Sequence, residues 1–182
     1  MGLAIRPSSL DGAGLWGLTR VVLAQDLFDG LEARGEGALL PVYLVLGEEA
    51  FLTDEVVRRL QTATASGGIA GFNDDRFIAG EDKIEAVLAA ARSVPMMAKR
   101  RFVLVRGVDR WEGKGDEAKE GALDKLAAYA AEPYSTAVVV LTAAKLHGQR
   151  RIVTTAKKKG FLVSCDPLKC GEPGPWVQEI GR

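Results

Sequence analysis

The chain has 182 residues, 47% hydrophobic and 26% charged, which is typical of a globular protein with one domain of ordinary size. Its 24 lysines and arginines balance 24 aspartates and glutamates, so net charge alone predicts no nucleic-acid partner. No segment approaches the roughly 18 apolar residues of a membrane span, and none has a signal-peptide core, so we expect a cytoplasmic protein with no membrane partner.

The two cysteines, Cys165 and Cys170, lie five residues apart and form no CxxC motif. No pair of histidines accompanies them, because His147 is the only histidine of the chain. A zinc site is therefore not expected, and in a cytoplasmic protein both thiols should be reduced.

Hydrophobic periodicity predicts alternating helices and strands between an irregular start and an irregular end. Residues 1–20, rich in glycine, serine and leucine, predict a flexible extension. The predicted elements are, in chain order, a helix over 21–33, a strand over 42–46, a helix over 53–64 with Thr53 as N-cap, an edge strand over 75–78, a helix over 82–92, a strand over 102–105, a helix over 118–131, a strand over 136–142, a helix over 148–159 and a strand over 161–164.

Such alternation predicts right-handed crossovers and a parallel sheet with helices on both faces. We therefore expect one three-layer α/β domain over residues 21–166, with five strands and about five helices. Residues 167–182 are rich in proline and glycine, and Pro175-Trp176-Val177-Gln178 looks like the first turn of another helix. This last segment predicts a linker and the start of a second domain that is cut short.

The turn after the first buried strand has one glycine of a P-loop and little else. It reads Gly47-Glu48-Glu49-Ala50-Phe51-Leu52-Thr53-Asp54, without the lysine that would reach a phosphate. Glu48 and Glu49 would repel phosphates, and we expect Phe51 and Leu52 to occupy the space that a phosphate needs. The pattern fits both an ordinary strand-to-helix turn and a phosphate-loop fold that has lost its nucleotide.

Met96 and Met97 are adjacent, between a helix-like segment and a strand-like run. Neighbouring side chains point in different directions, so at least one of the two should face solvent. An exposed, flexible methionine pair suits a docking tip, whereas a buried pair would fill the gap between helix and sheet.

Basic residues cluster on the last predicted helix. Arg150, Arg151, Lys157 and Lys158 fit either a solvated helix face or a DNA contact. His147 lies just before them, with no cysteine or carboxylate near it in the sequence, so we do not expect it to act as a catalytic base.

Several segments, in order and spacing, resemble the bacterial DNA polymerase III delta subunit, the clamp-opening arm of the replicative clamp loader. The resemblance extends over about residues 23–178. Its segments are PVYLVLGEEAFL at 41–52, Gly71-Phe72-Asn73, a small-helix-then-strand element at 93–105, the strand at 137–146, the basic run 157–160, and Pro175-Trp176-Val177.

The resemblance implies a P-loop-like, AAA+-type first domain with a degenerate nucleotide loop, no cofactor and no metal. Such a subunit is itself non-catalytic and accessory to a DNA-directed DNA polymerase holoenzyme. Met96 and Met97 fall where the family inserts two adjacent hydrophobic residues into a pocket of the ring-shaped sliding clamp (the beta subunit). The run Lys99, Arg100 and Arg101 would support that contact.

The family's partners would be the sliding clamp and, in a full-length protein, the other clamp-loader subunits, with DNA contacted weakly or indirectly. The family continues for over a hundred residues through a lid and a collar, so the resemblance implies that this chain is truncated. Two alternatives stay open from the residues: a degenerate P-loop nucleotide-binding enzyme, and a nucleic-acid-binding domain that uses the basic helix.

Overall fold

The computed structural model describes residues 21–65, 71–112 and 121–166. The described strands are β1 (Val21–Leu23), β2 (Val42–Leu46), β3 (Asp74–Ile78), β4 (Arg101–Arg106), β5 (Ala137–Ala143) and β6 (Leu162–Ser164). The described α-helices are α1 (Ala24–Arg34), α2 (Ala50–Thr64), α3 (Ile84–Arg92), α4 (Ala122–Ala131) and α5 (Arg151–Lys159). Two short 3₁₀ turns, Gly35–Ala38 and Val108–Glu112, join them.

The strands form one sheet in the order β1-β6-β2-β5-β4-β3, and every neighbouring pair is parallel. The central strands are buried on both faces, which is why they are continuous apolar runs such as Ala137–Ala143. The predicted parallel, three-layer α/β fold is confirmed.

Side chains that alternate along the strands build two cores, one on each face of the sheet. On β4, Val103 and Val105 face α3, α4 and α5, whereas Phe102 and Leu104 face α1 and α2. The first core includes Val87, Leu126 and Ile152 from the three helices of its layer. The second includes Phe28, Val56 and Leu60.

The structure adds a sixth strand that the sequence pattern did not predict. Residues 21–33 were expected as one helix, but Val21–Leu23 pair with Leu162–Ser164 as an edge strand and the helix runs from Ala24 to Arg34. Two β-branched valines and the free edge of β6 favour the extended conformation over a further helical turn.

Three further helices, α2, α3 and α5, begin at positions other than those predicted. The helix α2 begins at Ala50, and the Thr53 amide donates to the Glu49 carbonyl at 3.0 Å inside the first turn, so Thr53 is not an N-cap. The helix α3 begins at Ile84 rather than 82. The helix α5 begins at Arg151 because residues 148–150 form a turn, in which the Arg150 amide donates to the His147 carbonyl at 2.9 Å.

The prediction that 75–78 is an edge strand is confirmed, since β3 ends the sheet. The predicted extension over 1–20, the linker over 167–182 and residues 118–120 of the helix predicted over 118–131 lie outside the described residues. Within them, α4 begins at Ala122 after Gly121, whose backbone is not helical, so the predicted helix is shorter than expected. Among the helices of the described ranges, none combines the length and the apolar character that a membrane crossing requires.

Candidate protein-docking site

The two adjacent methionines lie in the segment between α3 and β4, at the amino-terminal edge of the sheet. The side chains of Met96 and Met97 are 60% and 79% exposed. We expected at least one of the two to face solvent, and both do, so the expectation is confirmed. Residues 94–100 are bends and irregular backbone, so the small helix expected there is wrong.

Two further apolar side chains near this segment are exposed, Val94 at 79% and Phe72 at 62%. Sequence reasoning did not select either as a site residue. The signal for Val94 was its place within two residues of the methionine pair, before Pro95. Phe72 follows Gly71, whose positive φ of 87° turns the chain into β3.

The methionine segment is tied to the chain before β3 by one side chain. The amide of Asn73 donates from Nδ2 to the Met96 carbonyl and accepts from the Met96 amide at Oδ1, both at 2.7 Å. No local sequence pattern marks Asn73 for this role, because a bond across 23 residues leaves none.

The three basic residues that follow the methionines all have partners within the domain. Lys99 forms an ion pair with Glu36 at 3.1 Å, and Arg100 donates to the Leu39 carbonyl at 3.0 Å. Arg101 pairs with Asp75 and its side chain is only 14% exposed. Lys99 is thus the most accessible of the three, while Arg101 ties β4 to β3.

The cations of α5 and of the residue before it are likewise partly bonded within the domain. Arg150 pairs with Glu112 at 3.0 Å, and the Lys159 ammonium bonds the last carbonyls of α4. Of the other cations, Arg151 and Lys158 are exposed and Lys157 is half-buried. Cations in the last turn also complement the helix dipole.

Glu112 accepts hydrogen bonds from both the backbone of His147 and the side chain of Arg150. Burial raises the pKa of Glu112, but hydrogen bonds from the His147 backbone amide and from Arg150 outweigh it and hold the pKa below its ordinary value. The imidazole is exposed, and its Nδ1 accepts from the Gln149 amide at 3.4 Å. This geometry makes His147 part of a turn.

The carboxyl ends of the central strands, where open parallel sheets bind ligands, are closed by backbone contacts. A Cβ built on Gly47 would stand 2.3 Å from the carbonyl carbon of Cys165. Burial raises the pKa of the Cys165 thiol to about 11. Gly47 is required by this close approach of two strand ends.

A cleft of about 320 Å³ remains beside that contact, with an ion pair at its rim. Asp54 and Arg106 pair at 2.8 Å across it. The expectation that Phe51 occupies this space is wrong, because the ring is 79% exposed; Leu52 packs partly into the α1/α2 core. Within residues 21–65, 71–112 and 121–166, no group of three or more His, Cys, Asp or Glu could hold a metal.

The parallel sheet with its degenerate turn is the fold of an AAA+-like α/β domain, and the solved structures that it resembles include a clamp-loader protein. The solved structure of the Bacillus subtilis DNA clamp loader delta protein superposes with a TM-score of 0.66 and 28% identity, over 78% of this chain and 43% of that one. A DNA polymerase III gamma subunit-related protein from Thermotoga maritima shares the fold, with a TM-score of 0.51 at 16% identity over 86% of this chain and 48% of that one.

The family model for the DNA polymerase III delta subunit matches residues 43–166. The chain therefore belongs to the DNA polymerase III delta subunit family. It is 28% identical over 159 residues to DNA polymerase III subunit delta of Bacillus subtilis, which covers 86% of this chain. The chain spans 46% of the length of that relative.

Proposed function

We propose that this chain binds the sliding clamp through Met96 and Met97 and favours the open form of the ring during DNA replication. The observation that carries the proposal is the exposure of two adjacent methionines on a segment with no regular structure, in a member of the delta subunit family. Residues 21–166 would be the clamp-binding domain, and residues 167–182 a linker into a further domain.

Exposed apolar side chains at a loop tip lose contact with water when they enter a pocket on a partner. A few such anchors carry most of the free energy of a protein interface, each worth about 2 kcal/mol or more. Methionine is flexible and polarizable, so it adapts to the shape of a preformed pocket. Lys99 is exposed beside the tip, and its ammonium, paired there with Glu36, could exchange that partner for a carboxylate of the clamp.

Ring opening then follows from differential binding rather than from covalent chemistry. A ligand shifts an equilibrium only by the ratio of its affinities for the two forms. The chain opens the clamp to the extent that it binds the open ring more tightly. We propose no catalytic residue, cofactor or metal for the subunit itself.

The two alternatives have less support from the described residues. A nucleotide enzyme would need a phosphate cradle where Gly47 contacts Cys165. A DNA-binding helix would need free cations, yet Arg150 and Lys159 bond within the domain. DNA contact through Arg151, Lys157 and Lys158 would be weak or indirect, and the other clamp-loader subunits would be partners of a longer protein.

The test is a pull-down of the cognate sliding clamp by the tagged chain, followed by a fluorescence measurement on a clamp labelled across its subunit interface. We expect stoichiometric capture and a loss of energy transfer as the interface separates. Capture without a change in energy transfer would reject ring opening but keep clamp binding. No capture at micromolar concentrations would reject both.

A further inference from the structure

The side chain of Asn73 satisfies both backbone groups of a single residue in the methionine segment. Its Nδ2 donates to the Met96 carbonyl and its Oδ1 accepts from the Met96 amide, at 2.7 Å each. This pair of bonds resembles the exchange between two residues of neighbouring strands, made here by a side chain.

Asn73 is itself firmly anchored, which makes it a suitable support. It is only 9% exposed, although asparagine usually lies at the surface of proteins. Its own carbonyl accepts from the Phe102 amide at 2.7 Å, so the residue is fixed to the start of β4. Asn73 therefore bonds both to Met96 within the methionine segment and to Phe102, which follows that segment on β4.

The segment needs such support because its own backbone does not define one conformation. Residues 94–100 contain no helix or strand. Met97 has a positive φ of 52°, a region that residues other than glycine, asparagine and aspartate seldom adopt. An unsupported segment would sample other conformations and would have to be ordered on binding, which reduces affinity.

We infer that Asn73 is a positioning residue, which holds the backbone at Met96 so that the methionine tip is preformed for the clamp. The inference rests on the proposed clamp binding. It assigns no direct contact with the partner to Asn73, since the side chain is buried and both amide atoms are already bonded to Met96.

Two substitutions separate the bonds. Asn73→Ala removes both, whereas Asn73→Asp keeps an acceptor for the Met96 amide but faces the Met96 carbonyl with a second acceptor. A matched control is Ile152→Val, a small loss of packing on α5, which packs against α4, β2 and β6. All variants are made in the full chain, and circular dichroism with thermal melting defines the folded fraction.

Surface plasmon resonance against the cognate clamp then gives the dissociation constants. We expect Asn73→Ala and Asn73→Asp to weaken binding about 5- to 20-fold, as if the competent conformer fell to about a tenth of the folded protein. Ile152→Val should bind as the parent does. In a Met96→Ala/Met97→Ala background, Asn73→Ala should add little, because a positioning residue acts only through the side chains it positions.

Hydrogen exchange at the Met96 amide, measured by NMR, tests the support directly. The amide should be protected in the unaltered protein and exchange faster in Asn73→Ala. An unaltered Met96 amide that exchanges as fast as a free peptide overturns the inference, even if a variant fails to fold.

Three binding results would also overturn the inference. Folded Asn73 variants with parental affinity would reject it and leave clamp binding intact. An equal loss from Asn73→Ala with and without the methionines would show that Asn73 acts independently of the tip. An unaltered chain that does not bind the clamp would reject the proposed function, and with it the inference.

Discussion

Gly47 and Cys165 are in backbone contact at the carboxyl end of the sheet: a Cβ on Gly47 would stand 2.3 Å from the Cys165 carbonyl carbon and 2.3 Å from its oxygen. Two backbone hydrogen bonds join the strand ends at this contact. The Cys165 amide donates to the Leu46 carbonyl at 2.7 Å, and the Gly47 amide donates to the Ala143 carbonyl at 3.2 Å. The one glycine that this turn shares with a P-loop therefore has a packing role.

Gly47→Ala should destabilise the domain, because backbone atoms rather than a flexible side chain meet the added methyl group. Forcing a carbon into a packed region typically costs about 1–3 kcal/mol of the free energy of unfolding. Urea denaturation measures the change. Gly148→Ala is the matched control, since its added Cβ meets nothing within 4 Å, and it should change the free energy by less than about 0.5 kcal/mol. Equal stability of the two variants would contradict the packing role.

Mg-ATP should not bind this chain. The turn has no lysine, Glu48 and Glu49 are exposed where phosphates would approach, and the Asp54–Arg106 pair occupies the cleft rim. Calorimetric titration should give no heat of binding, with an ATP-hydrolysing clamp-loader subunit as the positive control. A dissociation constant in the micromolar range would refute the prediction.

Stability should fall between about pH 9 and pH 11 because of Cys165. Burial raises the pKa of its thiol from the ordinary 9.0 to about 11 in the folded chain. An unfolded thiol loses its proton at the lower pH, so rising pH favours the unfolded state until the folded thiol also ionises. Two pKa units correspond to a loss of up to about 2–3 kcal/mol.

The control for this pH effect is Cys165→Ala, which removes the titrating group while Cys170 remains. Urea unfolding of both proteins at pH 7 and pH 10.5 isolates the contribution of Cys165. The parent should lose more stability than the variant over this interval. The same loss in both would assign the alkaline instability to other groups.

DNA binding should be weak and sensitive to salt. Net charge is zero, and the cations of α5 have no aromatic side chains among them on which bases could stack. Fluorescence anisotropy with a labelled duplex should detect at most weak binding at 50 mM salt and none at 200 mM. Tight binding at 150 mM salt that Arg151→Glu and Lys158→Glu abolish would favour a DNA-binding role instead.

The sheet was predictable because its inner strands are buried on both faces. Runs such as Val42–Leu46 and Ala137–Ala143 have no polar alternation, which predicts central parallel strands. The edge strand Val21–Leu23 was missed, since three residues beside a helix carry too little periodicity. Its conformation is decided by pairing with Val163 and its neighbours, a contact between distant parts of the chain.

The candidate site was predictable in one respect and hidden in others. Adjacency alone predicted an exposed methionine, because neighbouring side chains diverge. The positive φ of Met97 and the two bonds from Asn73 had no local signal, since they depend on how β3 and β4 align. For the same reason the sequence did not indicate that Arg101 would be half-buried and paired with Asp75.

The central claim is that Met96 and Met97 carry the affinity for the sliding clamp, and the dissociation constant of Met96→Ala/Met97→Ala tests it most directly. Truncation of such anchors costs about 2 kcal/mol or more, which is roughly a thirtyfold loss. Because both side chains are exposed, the melting temperature and circular dichroism should stay close to the parent's. We predict a folded double variant that binds the clamp at least about thirtyfold more weakly; a folded double variant with the parent's affinity would contradict the account.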